Sequence, residues 1–274
     1  MRPVLEACRE LMGGRTARRL VGAGIVAAVL IGLWQAVVWV TAPPPYMLPG
    51  PARVYSALVG NAGYLLDNAA ITALEIVLGL VAGVLLGTAT ALAMAAIPAL
   101  TRVMLPVLIV TQALPVFAIA PLLVLWFGYG LASKVVMATL IIYFPVASAF
   151  FDGLRRTDQG LLDLADLYRT TGFQRLVLFR VPAALPGLVS GLRVAATVAP
   201  IGAVVGEWVG ASAGLGFVML HANARVQTDL MFAALFLLAA MAVILRLSVE
   251  RLTRDLVSWM PESNRQSNPK GSPT

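Results

Sequence analysis

The sequence contains very little charge. Only 12% of its 274 residues are Asp, Glu, Lys or Arg, against roughly 25% in soluble domains, and 59% are hydrophobic. The mean hydropathy is +0.87. These values exclude an ordinary water-soluble domain and predict an all-α, polytopic membrane protein. Because a membrane-spanning helix needs roughly 20 apolar residues, a chain of this length has room for about six transmembrane helices.

Cysteine and histidine are almost missing, with one residue of each, Cys8 and His221. A single cysteine excludes an intrachain disulfide, and so few soft ligands predict no metal site and no cofactor held by this chain. The sequence lacks a Gly-x-x-x-x-Gly-Lys-Ser/Thr loop, so we expect no nucleotide site of its own. It also lacks a His-Glu-x-x-His motif, which argues against an intramembrane metalloenzyme.

Prolines, glycines and polar stretches divide the chain into predicted segments. They are a cytoplasmic N-terminal segment (1–19), a first transmembrane helix (20–40), a periplasmic segment (41–68), a transmembrane domain (69–255) and a disordered tail (256–274). Within the transmembrane domain, helices are predicted at about 69–97, 103–126, 134–151, 185–206 and 230–249. The predicted helix 103–126, the third span of the chain, is interrupted at Pro106, Pro115 and Pro121. The predicted helix 69–97, the second span, carries Gly79, Gly83 and Gly87, whose spacing predicts close approach of another helix.

The basic residues indicate how the spans are oriented. With a cytoplasmic N-terminus, 16 of the 20 Lys and Arg residues lie on the cytoplasmic side. Only Arg53, Lys134 and Arg225 fall on the other side, and Arg193 lies within the fifth span. This asymmetry satisfies the positive-inside rule and places both termini in the cytoplasm. Because the basic residues alternate with apolar spans, topology explains the net charge of +7 and we expect no nucleic-acid partner.

Five residues in or beside the spans are candidates for the translocation pathway. They are Glu75, Gln112, Pro115, Glu207 and Trp208. An ionisable group such as Glu75 is expensive in lipid and therefore a functional candidate. Pro115 frees backbone carbonyls, so the Gln112 region either faces a cavity or is a structural kink. Glu207 either lines the external gate or is an interfacial acid beside a tryptophan of the aromatic belt.

A polar segment of about 30 residues separates the fourth and fifth spans. Apolar residues at 161, 164, 165 and 168 alternate with charges, which predicts an amphipathic helix with Gly172 as its C-cap. A second short helix is predicted to follow, up to Pro182. From these features alone, the segment is equally well interpreted as a docking surface for a protein or as an interfacial helix lying on anionic lipid.

The same segment resembles the coupling loop of binding-protein-dependent ABC importer permeases, most closely the nitrate/sulfonate/taurine type. That family has Glu-Ala-Ala, three residues and then Gly. Here the corresponding residues are Asp166-Leu167-Tyr168 and Gly172, so the acidic charge and the glycine are retained and both alanines are replaced. A later Leu-Pro corresponds to Val181-Pro182. The runs 122–130 and 227–232 are most similar to permeases linked to pyrimidine precursors of thiamine.

The resemblance implies a division of labour among several proteins in a bacterial inner membrane. Two permease copies form a homodimer surrounded by membrane lipid, a periplasmic solute-binding protein delivers a small solute, and an ABC ATP-binding subunit holds ATP and magnesium. The residues implied in ATPase coupling are Asp163, Asp166, Leu167, Arg169, Gly172 and Arg175. The alternative is an ion-gradient-driven secondary transporter, but the sequence shows neither the inverted repeats nor the paired midplane charges expected of one.

Overall fold

The computed structural model describes the backbone of residues 2–113 and 115–258, and the side chains of 21–22, 24–111 and 115–258. Every regular element in these residues is helical. In chain order the helices are α1 (Arg2–Thr41), α2 (Pro51–Gly60), α3 (Ala62–Ala96), α4 (Pro98–Ala113), α5 (Val116–Phe127), α6 (Leu131–Arg155), α7 (Gln159–Leu167), α8 (Gly172–Gln174), α9 (Val181–Gly210), α10 (Leu215–Ala224) and α11 (Thr228–Arg254). A π-helical turn, Arg175–Arg180, joins α8 to α9. The all-α prediction is confirmed.

Five helical segments are long and apolar enough to cross a membrane: Gly24–Thr41, Ala62–Ala96, Leu131–Arg155, Gly172–Gly210 and Thr228–Val257. The third predicted span, 103–126, is broken, because Pro98–Thr111 and Val116–Phe127 are bent by 100° relative to each other. Of the three predicted interruptions, only Pro115 lies at the break. Pro106 and Pro121 lie inside α4 and α5, which was not predicted. Membrane helices tolerate proline where neighbouring groups satisfy the freed carbonyl.

The described residues form two compact units. The first comprises the chain up to Leu65 together with Met219–Leu235. In it Trp34 of α1 stacks on Phe232 of α11, with ring centroids 6.0 Å apart. The Arg53 guanidinium of α2 also pairs with Asp229 at 2.9 Å. These contacts attach α1 and α2 to the start of α11, although the apolar window of α1 has no buried residue.

The second unit comprises Leu66–Val218 and the chain from Phe236 onward, and its centre is the long contact between α6 and α9. Small residues make this contact close. A Cβ added at Gly191 of α9 would lie 2.8 Å from the carbonyl oxygen of Pro145 in α6. Likewise, a Cβ at Gly83 of α3 would lie 2.6 Å from Cγ2 of Ile142. The predicted close approach along Gly79, Gly83 and Gly87 is therefore confirmed, and the partner is α6.

The polar segment between α6 and α9 differs from its prediction in two respects. The amphipathic helix α7 ends at Leu167 with Tyr168 as C-cap, so Gly172 is not its C-cap. Instead, Gly172 begins the next helix, which continues without interruption through Pro182 into α9. Pro182 directly follows the π-helical turn Arg175–Arg180, and such local adjustments let a membrane helix continue through a proline. The predicted disordered tail lies almost entirely outside the described residues, beyond 258.

Candidate functional site

The segment 156–180, between the end of α6 and the start of α9, is built by local hydrogen bonds. The Asp158 carboxylate caps α7 by accepting from the Gly160 N–H at 2.8 Å. At the other end of α7, Arg169 adopts a left-handed conformation with φ of 50°. The chain turns there, and the Thr170 N–H and hydroxyl both donate to the carbonyl of Ala165. This turn explains why α7 ends at Leu167, five residues before Gly172.

A capping box starts the second helix of this segment. The Thr171 hydroxyl accepts from the Gln174 N–H at 3.3 Å, and the Gln174 side chain accepts from the Thr171 N–H at 2.9 Å. One turn later, Arg175 reaches back across the loop to Asp166 of α7, with 3.1 Å between Nη1 and Oδ1. Two of the predicted coupling residues, Asp166 and Arg175, therefore form an ion pair that joins the two helices.

The outward face of the segment is apolar. Leu167 is 79% exposed, and Tyr168 and Phe173 are exposed to a similar degree. On α7 the fully buried residue is Ala165, whereas the positions predicted for the apolar stripe at 161, 164 and 168 are exposed. Asp163 is also exposed and accepts a 3.0 Å hydrogen bond from the Gln159 side chain. A large exposed apolar surface on a polar loop is a feature of protein interaction sites.

Arg180 anchors this segment to the spans. Its guanidinium donates to the Leu154 carbonyl from Nε at 3.1 Å and from Nη2 at 2.9 Å, and to the Ala95 carbonyl from Nη1 at 3.2 Å. Leu154 and Ala95 lie in the last turns of α6 and α3, where carbonyls lack helical partners. A cavity of about 530 Å³ adjoins this anchor and is lined in part by Arg155, Arg175 and Arg180.

The opposite end of the unit contains a buried polar cluster. Lys134 lies about 31 Å along α6 from Arg155, taking a rise of about 1.5 Å per residue. Its Nζ donates to Glu75 Oε1 of α3 at 2.9 Å. Glu207 of α9 accepts from the Thr72 hydroxyl at 2.6 Å. Glu75 and Glu207 are 0% and 1% exposed, and Lys134 is 6% exposed. We call Asn68, Thr72, Glu75, Lys134 and Glu207 the buried polar cluster.

The buried polar cluster holds the turn that follows α9. The Gly214 N–H donates to the Asn68 side chain at 2.8 Å, the Leu215 N–H donates to the Thr72 hydroxyl at 2.8 Å, and the Gly216 N–H donates to Glu207 Oε2. Gly214 has φ of 115°, and a Cβ at this position would collide with the Glu207 carboxylate. The helical chain is therefore interrupted at this turn, between α9 and α10.

The structure separates the five pathway candidates. Glu75 and Glu207 belong to the same buried polar cluster. Glu207 is therefore not an interfacial acid, because its side chain is buried and accepts hydrogen bonds from two donors. Trp208 is half-exposed and takes no part in the cluster. Pro115 is the N-cap of α5 and is exposed, and the Gln112 side chain lies outside the described ones. No group of three or more metal-binding side chains occurs among the described residues.

Sequence reasoning missed Lys134, Asn68 and Thr72. Lys134 was assigned to the external surface by its position at the start of a span, yet it is buried against Glu75. A signal was available in the sequence. Because the apolar helices α3 and α9 contain the acids Glu75 and Glu207, a lone lysine in an adjacent span is the expected partner of an intramembrane carboxylate. Asn68 and Thr72 lie two turns and one turn before Glu75, on the same face of α3.

A family model for the binding-protein-dependent transport system inner membrane component matches residues 77–258. The chain belongs to this family. The match includes the segment 156–180, α6 and α9, and two residues of the buried polar cluster, Lys134 and Glu207. The protein is therefore an ABC transporter permease. The family resemblance noted for the Asp166–Gly172 region is confirmed at the level of the family.

Several curated relatives cover most of the chain. The permease is 51% identical over 234 residues to a probable ABC transporter permease protein of Haemophilus influenzae, covering 85% of this chain and 96% of the relative. It is 33% identical to the formylaminopyrimidine transport permease ThiX of Halalkalibacterium halodurans, covering 78% and 86%. It is 31% identical to the taurine transport permease TauC of Escherichia coli, covering 86% and 88%.

Solved structures show a similar fold. A chain of the MetNI methionine ABC transporter in an inward-facing conformation superimposes with a TM-score of 0.55 at 21% sequence identity. The superposition covers 73% of this permease and 96% of that chain. The helical architecture is thus that of an ABC transporter membrane subunit. At this identity, the likeness concerns the fold alone.

Proposed function

We propose that the chain is the membrane-spanning subunit of an ABC importer in which ATP and magnesium are held by a separate ATPase subunit. This proposal is supported mainly by the exposed apolar face of the segment 156–180, whose conformation is held by contacts within the segment and with the spans. Leu167, Tyr168 and Phe173 project from it, while the Asp166–Arg175 ion pair and the Arg180 anchor hold its base. Such a loop presents a hydrophobic surface to a partner and transmits the partner's motion to α3 and α6.

Site-specific cross-linking tests this contact. The chain has one cysteine, so a Cys8→Ser background accepts single reporters. We expect a Leu167→Cys reporter to cross-link to the co-expressed ATPase subunit. The matched control is Leu252→Cys in α11, which is 78% exposed against 79% for Leu167. A cross-link at the control position with none at Leu167 would show that the segment 156–180 is not the ATPase contact.

For the topology, we propose the orientation expected from the basic residues. The segment 156–180 and both termini then face the cytoplasm of a bacterium, the protein lies in the inner membrane, and a periplasmic binding protein delivers the solute from the opposite side. Cys8 provides the test without any mutation. A membrane-impermeant maleimide is expected to label Cys8 in inverted vesicles and not in intact spheroplasts. Labelling in spheroplasts alone would reverse the orientation.

Because one copy of a permease of this size provides only about six spans, we propose a homodimer as the functional membrane unit. Support comes from the extensive apolar surface that α3, α5 and α9 leave exposed, including Leu85, Leu125 and Ile201. Some of this surface must face lipid, and the proposal assigns the remainder to the second copy. Mass measurement of the purified complex in lipid nanodiscs is expected to give two permease chains. A single chain in an active complex would refute the homodimer.

We propose a pyrimidine-type compound as the solute. This proposal is supported by the 33% identity to the relative named for formylaminopyrimidine transport and by the similarity of the runs 122–130 and 227–232 to permeases for thiamine precursors. A nitrate- or sulfonate-type anion is the competing class, supported by the 31% identity to a taurine permease. Calorimetric titration of the cognate binding protein with formylaminopyrimidine and with taurine separates the two. Tight binding of taurine and none of the pyrimidine would refute the proposal.

A further inference from the structure

The buried polar cluster has an imbalance of charge if all its ionisable groups are charged. Glu75 and Glu207 supply two carboxylates, and within the described residues the positively charged side chain paired with Glu75 is Lys134. Taking an ion out of water costs several kcal/mol unless an opposite charge or hydrogen bonds compensate. One lysine neutralises one carboxylate. The second carboxyl group therefore requires either another cation or a bound proton.

The hydrogen bonds distinguish the two carboxyl groups. Both oxygens of Glu207 already accept, one from the Thr72 hydroxyl and the other from the Gly216 N–H. In Glu75, Oε1 accepts from Lys134, whereas the fully buried Oε2 has no donor. The two carboxyl groups share one side of α3, because Thr72, which donates to Glu207, lies one turn before Glu75 on the same face of that helix. Two ionised carboxylates are both acceptors only, so they cannot bond to each other.

We propose that Glu75 carries a proton on Oε2 and donates it in a hydrogen bond to Glu207. This single proton satisfies the otherwise unpartnered oxygen and leaves Glu207 as the only carboxylate. The cluster then has no net charge, because Glu207 balances Lys134. Glu207 accepts three hydrogen bonds, from Thr72, Gly216 and Glu75, and such an arrangement stabilises an ionised carboxylate.

The consequence is a defined role for Glu75 as a positioning residue. Glu207 holds the Gly216 N–H, and Asn68 and Thr72 hold the N–H groups of Gly214 and Leu215. The start of α10 is thus fixed to α3 and α9 by three consecutive backbone donors. Glu75 acts on this turn only through Glu207, by keeping that carboxylate ionised, oriented and charge-balanced.

Isosteric amides test the assignment. In Glu75→Gln the amide oxygen accepts from Lys134 and the amide nitrogen donates to Glu207, which reproduces the proposed protonated carboxyl. We expect this variant to keep the apparent Tm of the wild type. Glu207→Gln exchanges one acceptor oxygen for a donor facing Thr72 or Gly216. We expect a fall of about 5 °C or more in its apparent Tm.

Infrared spectroscopy of the full-length permease in lipid nanodiscs reports the protonation state of Glu75 directly. A residue with a purely structural role and no bound proton would give no such signal. The wild-type minus Glu75→Gln difference spectrum is expected to contain the C=O stretch of a protonated carboxyl. The matched control is Glu250→Gln, which removes an exposed carboxylate of α11 and is expected to leave that band unchanged. Three results would overturn the proposal: no such band, a Glu75→Gln variant that fails to fold, or a Glu207→Gln variant as stable as the wild type with Glu75→Gln destabilised.

Discussion

Replacing Arg180 by methionine is expected to loosen the segment 156–180 from the spans. The substitution keeps an unbranched apolar stem and removes the guanidinium that bonds to the carbonyls of Leu154 and Ala95. A hydrogen bond to a charged group contributes about 1.5–3 kcal/mol, and Arg180 makes three. Because the side chain is only half-buried and water reaches the freed carbonyls, we discount the sum to about 2–3 kcal/mol.

A loss of this size is measurable by thermal unfolding in nanodiscs. For a protein of this length, about 1 kcal/mol lowers Tm by about 2–4 °C, so Arg180→Met is expected to lower the apparent Tm by about 5–10 °C. Solute-stimulated ATP hydrolysis by the reconstituted complex is expected to fall as well, since the loop moves less tightly with α3 and α6. Arg180→Lys is expected to have an intermediate effect because its single ammonium lacks the planar fork of arginine.

Arg156→Met is the matched control for this experiment. Arg156 lies at the same end of α6, its side chain is exposed, and it makes no side-chain hydrogen bond or ion pair with the described residues. We expect its apparent Tm to equal that of the wild type. If Arg156→Met is destabilised as much as Arg180→Met, the loss reflects the general positive charge at this end of α6. If neither variant changes, the carbonyl anchor does not contribute to stability, and the reasoning is wrong.

Three further substitutions test separate contacts. Gly191→Val places its Cβ 2.8 Å from the Pro145 carbonyl oxygen, so we expect overpacking of about 1–3 kcal/mol and a reduced yield of folded protein by size-exclusion chromatography. Asp166→Ala removes an exposed ion pair worth about 0.2–1 kcal/mol. Its Tm is expected to stay almost unchanged while solute-stimulated ATPase activity falls, and retention of full activity would remove Asp166 from the coupling contact. Thr171→Ala removes a capping-box acceptor, and unfolding curves are expected to show a loss of about 1 kcal/mol.

The spans were predictable because their signal is compositional. Long apolar stretches identify membrane helices whatever other helices pack against them. The glycine spacing of α3 predicts that another helix packs closely there but does not identify that helix. Helix ends were less predictable. Glycine is a common C-cap residue, which is why Gly172 was predicted to end α7. The chain instead turns earlier, at Arg169, and the Thr171–Gln174 capping box makes Gly172 the first residue of the next helix. Local side-chain bonds therefore outweighed the glycine signal.

The two parts of the candidate site differed in how far the sequence revealed them. The segment 156–180 was identified because its acidic residue and glycine have a family spacing, although its exposed apolar face was not. In the buried polar cluster, Glu75 and Glu207 were candidates separately, and nothing local in the sequence joined them. Their juxtaposition depends on the packing of α3, α6 and α9, and Lys134 becomes a partner only after these three helices pack together.

The coupling that we propose between an ATPase and transport through this permease depends on the segment 156–180. It is tested most directly by solute uptake into proteoliposomes that contain the permease, its ATPase and its binding protein. We compare the wild type with Leu167→Ser/Phe173→Ser, which removes exposed apolar groups without disturbing the core, and with Leu252→Ser as the equally exposed control. We expect ATP-dependent uptake to be lost in the double variant and retained in the control. Full uptake by the double variant, or uptake by the wild type without the ATPase, would contradict it.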